Sequence, residues 1–279
     1  MAGRLEGKVA FITGVARGQG RAHAIRLAEE GADIIGIDIC HDIASVGYPL
    51  ATRADLDETV QLVEKLDRRI VVGEADVRDR EAMKGVLDSG MAELGRLDFV
   101  IANAGIMPTF GEASQTVQAW QDALDVLLTG PMHTVELTYP RLIEQGEGGS
   151  IVITSSMAGL DRPMMRTEDF HTLGLLAYSA SKAGLVNLAR NYASFLASHH
   201  IRVNTVHPGA VNTPMINNQM MADRFASLHP EDGLALVPAI PVQAAEPADI
   251  ANAMVWLCSE ESRYFTGNAV RIDAGANLR

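Results

Sequence analysis

The stretch Val9-Ala10-Phe11-Ile12-Thr13-Gly14-Val15-Ala16-Arg17-Gly18-Gln19-Gly20 joins a short apolar run to a loop bearing three glycines. Helix formers follow over residues 22–30, with Gly31 placed as a C-cap. Strand, tight turn and helix in that order let backbone N–H groups approach a pyrophosphate and aim a helix N-terminus at its charge. Outward from it, apolar runs recur at residues 34–37, 70–75, 99–102, 151–154, 203–207 and 269–272, with helical stretches between. Nearly continuous apolar strands separated by helices predict an α/β, Rossmann-like, doubly wound parallel sheet covered on both faces. Without a composition break or internal repeat, residues 1–279 read as one domain.

Local signals refine this picture. Leu56, Val60 and Val63 recur at helical spacing, with Asp55 as N-cap candidate and Glu58 three residues on. Pro131 and Pro140 should bend or break the helical stretch over residues 120–144. Residues 39–54 and 158–176 are longer than ordinary connections and show little periodicity, so both are candidates for covering bound ligands.

Bulk composition excludes several classes. A net charge of −12 opposes nucleic-acid or anionic-membrane binding, which needs a positive field. Apolar runs stay short of the ~18–20 residues of a membrane span. Met1-Ala2-Gly3-Arg4-Leu5-Glu6 has no secretory apolar stretch, and Cys40 and Cys258 form no CxxC pair. Reduced thiols and a cytoplasmic location are expected. Neither His199 nor His200 sits in a metal-ligand pattern, and no catalytic metal is expected.

The glycine loop predicts contacts from Gly14, Arg17, Gly18, Gln19 and Gly20 to a dinucleotide. Asp38 ends the second strand 18 residues after Gly20, close to the ~20 expected of a ribose-binding acid. Its carboxylate would accept from the adenosine hydroxyls and repel a 2′-phosphate. Arg17 pulls the other way, but Ile39 supplies no second cation, so NAD is favoured over NADP. Asp76, followed by Val77, either meets the adenine amino group or caps a helix. Tyr178 and Lys182 stand four residues apart, on one face of a predicted helix. A phenol beside an ammonium suits proton transfer between an alcohol and its ketone next to a nicotinamide.

TGxxxGxG, Asn103-Ala104-Gly105, Tyr178-x-x-x-Lys182 and Pro208-Gly209 follow one another along the chain. In that order they resemble the short-chain dehydrogenase/reductase family from about Gly7 to Gly275. The resemblance implies a seven-stranded Rossmann-like sheet, a catalytic Ser156, Tyr178 and Lys182, and a homotetramer. It implies that Asn103, Ala104 and Gly105 line the cofactor, and that Pro208, Gly209, Val211 and Thr213 meet its nicotinamide end. Phe265-Thr266-Gly267 then begins the last strand, near the usual subunit interface. Leu127 stands where the family has an asparagine, and leucine can neither donate nor accept in the usual proton relay. The 22-residue gap from Ser156 to Tyr178 is longer than the family's usual one. Together with residues 39–54, it resembles the carveol-dehydrogenase-like subgroup associated with mycofactocin. That subgroup implies tightly held NAD recycled by an external redox carrier.

Met107, Pro108, Met157, Met164, Met165, Met215, Ile216, Met220, Met221 and Phe225 fall in segments expected around the nicotinamide. Methionine adapts to irregular apolar shapes, which points to a hydrophobic secondary alcohol or ketone, such as a terpenoid. Each could equally pack a core. His171 reads as a surface loop residue. The alternatives are an acyl-carrier-protein ketoreductase, which Asp38 disfavours, and a non-catalytic NAD-binding sensor or scaffold.

Overall fold

The computed structural model describes residues 3–160, 171–227 and 238–278. Seven strands, β1 (Val9–Thr13), β2 (Asp33–Asp38), β3 (Ile70–Glu74), β4 (Phe99–Ala102), β5 (Gly149–Thr154), β6 (Ile201–Pro208) and β7 (Ala269–Ile272), form one sheet. Their order is β3-β2-β1-β4-β5-β6-β7, and every neighbouring pair is parallel. The helices are α1 (Gly18–Glu29), α2 (Arg53–Glu64), α3 (Arg80–Leu94), α4 (Val117–Leu124), α5 (Gly130–Gln145), α6 (Leu173–Leu196), α7 (Gln219–Ser227) and α8 (Pro247–Cys258).

Side chains alternate across the sheet, so each strand feeds two cores. Val9, Phe11, Ile35, Val100 and Ile151 pack with Leu87 of α3, Val135 of α5 and Leu185 of α6. Ala10, Ile12, Ile34, Ile101 and Val152 pack with Leu27 of α1, Leu56 of α2 and Met254 of α8. Strands buried on both faces must be apolar at every position, and this made them visible in the sequence.

Several boundaries differ from expectation. α1 begins at Gly18, inside the glycine loop, because glycine at positive φ (+57°) can start it directly. Thr52, not Asp55, caps α2: its hydroxyl accepts from Asp55 N–H, while the Asp55 carboxylate accepts from Thr52 N–H. The predicted break falls before Pro131 as a π-helical turn at Asp125–Thr129, whose wider ring seats a residue lacking an N–H. Pro140 lies inside α5 without ending it. Residues 39–51 hold no regular element, and within 158–176 a short turn (Met157–Gly159) precedes α6. Residues 161–170 of that insertion, with Met164 and Met165, lie outside the described residues. Phe265 and Thr266 precede β7. Among the described residues no helix is long and apolar enough to cross a membrane.

The loop before β1 is tied to the end of α1 by Glu30, which accepts from Arg4 (2.6 Å) and Arg26 (2.8 Å). The Arg4 hydrogen bond, chiefly, holds the Glu30 carboxyl at about 2, below its ordinary 4.5. A depressed carboxyl contributes stability above its unfolded pKa and loses it as pH falls from about 4.5 towards 2. Glu30→Gln should therefore cost about 1–2 kcal/mol at pH 7, read by urea unfolding. The gap to wild type should narrow by pH 3; a gap independent of pH would remove the ion pair from the account.

Candidate active site

In an open parallel sheet, ligands bind at the carboxyl ends of the strands where the strand order reverses. Here that point lies between β1 and β4, and a cleft opens there. Gly14, Arg17, Gly18, Gln19, Gly20, Asp38, Ile39, Asp76, Val77, Asn103, Ala104, Gly105 and Thr213 all line it. Pro208, Gly209 and Val211 do not. Pro208 ends β6, Gly209 donates to Ile272 O, and Val211 is a buried core side chain bridged to Ala245.

The floor of the cleft is a close approach of backbones. Thr13 Oγ1 accepts from the N–H groups of Asn103 and Ala104, both at 3.0 Å. Asn103 Nδ2 donates back to the carbonyls of Thr13 (3.1 Å) and Gly14 (3.3 Å). A Cβ on Gly20 would stand 1.8 Å from Gly14 O, so only glycine fits there. Arg17, the N-cap of α1, makes no side-chain cap, leaving the first-turn N–H groups to an outside partner. Gln19 Oε1 is buried without a partner. These features fit an anionic dinucleotide.

Asp38 is buried and accepts from Ala16 N–H at 2.9 Å. Burial raises its pKa, while the N–H groups of Ala16, Cys40 and Ile39 and the charge of Arg17 oppose the rise. Arg17 Nη2 donates to Pro49 O, so the cation is turned towards the 39–51 segment. Asp76 accepts from the backbone and guanidinium of Arg78 and is not a helix cap; Asp79 caps α3 instead.

Residues 39–51 cross this cleft as a strap, contributing Ile43, Tyr48, Leu50 and Ala51 to its lining. Two polar ties, together with the Arg17–Pro49 bond, fasten the strap to the rest of the chain, and a third bond braces it internally. Tyr48 Oη accepts from Met107 N–H (3.1 Å), Ser45 Oγ donates to Asp122 (2.7 Å), and Asp42 accepts from Leu50 N–H (2.7 Å). Thr13 was quoted within the glycine pattern without a role of its own, and Tyr48, Ser45 and Asp122 were not singled out in the sequence. Thr13 had a signal, its place beside Gly14; the others had none, because their partners are distant.

Ser156, Tyr178 and Lys182 come together beside the cleft from two elements. β5 delivers Ser156, and α6 carries the other two one turn apart. The Ser156 hydroxyl lies close enough to the Tyr178 phenol to favour its ionised form. Lys182 Nζ donates to Thr154 O at 2.8 Å and lies 5.8 Å from the Tyr178 ring centroid. A Cβ on Gly105 would stand 3.9 Å from that Nζ, so the cleft and the triad share a wall. Burial pushes Lys182 down to about 7. It raises Tyr178 as well, against the Ser156 hydroxyl.

A family model described as enoyl-(acyl carrier protein) reductase matches residues 14–277. The (-)-trans-carveol dehydrogenase of Rhodococcus erythropolis is 43% identical over 99% of both chains. The crystal structure of a short chain dehydrogenase from Mycobacterium paratuberculosis, bound to NAD, matches with a TM-score of 0.91 at 44% identity, covering 99% of this chain and 100% of that one. That of carveol dehydrogenase from Mycobacterium avium in complex with NAD gives 0.90 at 45%, with the same coverage. The chain belongs to the short-chain dehydrogenase/reductase family.

Within this family member, Leu127 sits buried in the π-helical turn, and its Cδ2 would be 3.2 Å from a Cβ on Gly105. Leucine offers no hydrogen-bonding group there, and among the described residues Lys182 Nζ has Thr154 O as its hydrogen-bond partner. Of the apolar set, Met215 lines the cleft, Met107 and Met220 pack against the core, and Met221 is buried. The Phe225 side chain lies outside the described residues. His171 is exposed. Among the described residues no group of three His, Cys, Asp or Glu side chains is placed to hold a metal ion.

Gly20→Ala should lower NAD affinity by about a hundredfold, roughly 3 kcal/mol, in calorimetric titration of nucleotide-free protein. Unchanged affinity would mean that the loop does not form the binding surface.

Proposed function

We propose that this chain interconverts a hydrophobic secondary alcohol, terpenoid and carveol-like, and its ketone, with NAD as hydride carrier. The observation that carries the reading is the gathering of Ser156, Tyr178 and Lys182 on the wall of a cleft lined by the glycine loop and Asp38. Buried Asp38 at the end of β2, with Arg17 drawn off to Pro49, supports NAD over NADP. Met215 and Met107 support an apolar substrate.

NAD supplies the hydride acceptor when bound, and its positive ring favours phenolate nearby. Tyr178 takes the hydroxyl proton in oxidation and returns it in reduction. Ser156 holds the substrate oxygen and steadies charge developing on it. Lys182, charged when the phenol ionises, holds that charge in place and reaches the nicotinamide ribose. The strap keeps the nucleotide in the cleft, so turnover relies on an external redox carrier of the mycofactocin kind. The assembly is a homotetramer working in the cytoplasm.

Tyr178→Phe should lower kcat for a carveol-type alcohol by about 10³-fold while leaving NAD binding intact. The assay follows bound nicotinamide reduction, with an artificial electron acceptor for reoxidation. Retained turnover would take Tyr178 out of the acid/base role.

A further inference from the structure

The segment leaving β5 must present Ser156 at one angle, and its backbone is held from two sides. Ser155 N–H donates to Val206 O (2.8 Å), and the Ser155 hydroxyl donates to Lys182 O (2.7 Å). The Ser156 carbonyl accepts twice, from Gly159 N–H at 3.0 Å and from His207 Nδ1 at 2.8 Å. His207 is fully buried on β6, one residue before Pro208 ends the strand.

The ring's protonation follows from its partners. A carbonyl only accepts, so Nδ1 must carry the proton. Nε2 lies 2.7 Å from Thr205 Oγ1 and, bare in a neutral ring, accepts from that hydroxyl. Burial lowers the His207 pKa, and the nearby charges of Lys182 and Arg271 act in the same direction. Both ring nitrogens are thus committed, and neither points at the cleft. A buried imidazole with a fixed tautomer is a rigid strut between β6 and the serine turn.

Resting on the reading of Ser156 and Tyr178 as the reacting pair, we propose that His207 is a positioning residue. Its Nδ1–H, held by Thr205 from behind, fixes the Ser156 backbone so that the hydroxyl meets the phenol and the substrate oxygen. A backbone free to rotate there would leave Ser156 able to hydrogen-bond elsewhere, as it already does with Ala158 N–H at 3.1 Å.

Two substitutions separate positioning from packing. His207→Asn can keep an N–H donor near the Nδ1 position, whereas His207→Leu keeps volume without a donor. With the alcohol assay above, His207→Leu should lower kcat at least about tenfold, the worth of one to two hydrogen bonds, and His207→Asn should recover most of it. KM for the alcohol and the NAD content should stay near wild type in both. Equal kcat in the two variants, or a fall in kcat matched by lost NAD, would overturn the proposal. Imidazole ¹⁵N NMR of the wild-type protein, with His207→Asn to assign the signal, gives a reading independent of substrate and of any folding defect in the variants. A protonated Nδ1 and bare Nε2 are expected; an Nε2–H tautomer or a charged ring would overturn the role. Wild-type protein inactive on every secondary alcohol would contradict the substrate reading, and the tautomer would still decide His207.

Discussion

The cleft depends on how closely two backbones meet where β1 and β4 end. Thr13 and Asn103 exchange hydrogen bonds across that gap, and Gly14, at φ +70°, has its Cα side directly against Ala104. A side chain at Gly14 would need a left-handed backbone and would stand 2.8 Å from Ala104 Cα. With the two strand ends locked, α1 starts at once and its uncapped N–H groups face outward. The neighbouring strands bring Asp38 from β2, Asp76 after β3 and Ser156 after β5 to that end of the sheet.

The second constraint is electrostatic. Lys182 and Tyr178 are both removed from water, and burial disfavours the charged form of each. Burial thus opposes separated charge in the pair at rest. In the proposed mechanism a cationic ring in the cleft tips the balance, so the protein and its nucleotide make one working unit. The strap fits that arrangement, since its ties to Met107, Asp122 and Arg17 close over the cleft that such a unit must keep filled.

How much of this was legible in the sequence follows from the range of the interactions involved. Strands buried on both faces show as apolar runs, and a glycine loop between strand and helix is a local pattern, so the sheet and the turn from β1 into α1 could be read directly. The α2 cap was misplaced because Thr52 and Asp55 are each plausible caps, and only the reciprocal bonds tell which residue is which. The π turn before Pro131 left no pattern beyond the proline itself. The strap was flagged for its length alone: Ser45, Tyr48 and Pro49 find partners far away in the chain, and nothing periodic announces such contacts. His207 lay beside a quoted Pro208-Gly209 and escaped notice because its partner is a backbone carbonyl.

The central claim is that this protein carries NAD enclosed in its cleft as part of the working site. The direct measurement is to dialyse the purified protein extensively, denature it, and identify the released nucleotide by chromatography. The account expects NAD or NADH at close to one per chain. Nucleotide-free protein, or protein that releases NADP, would contradict it.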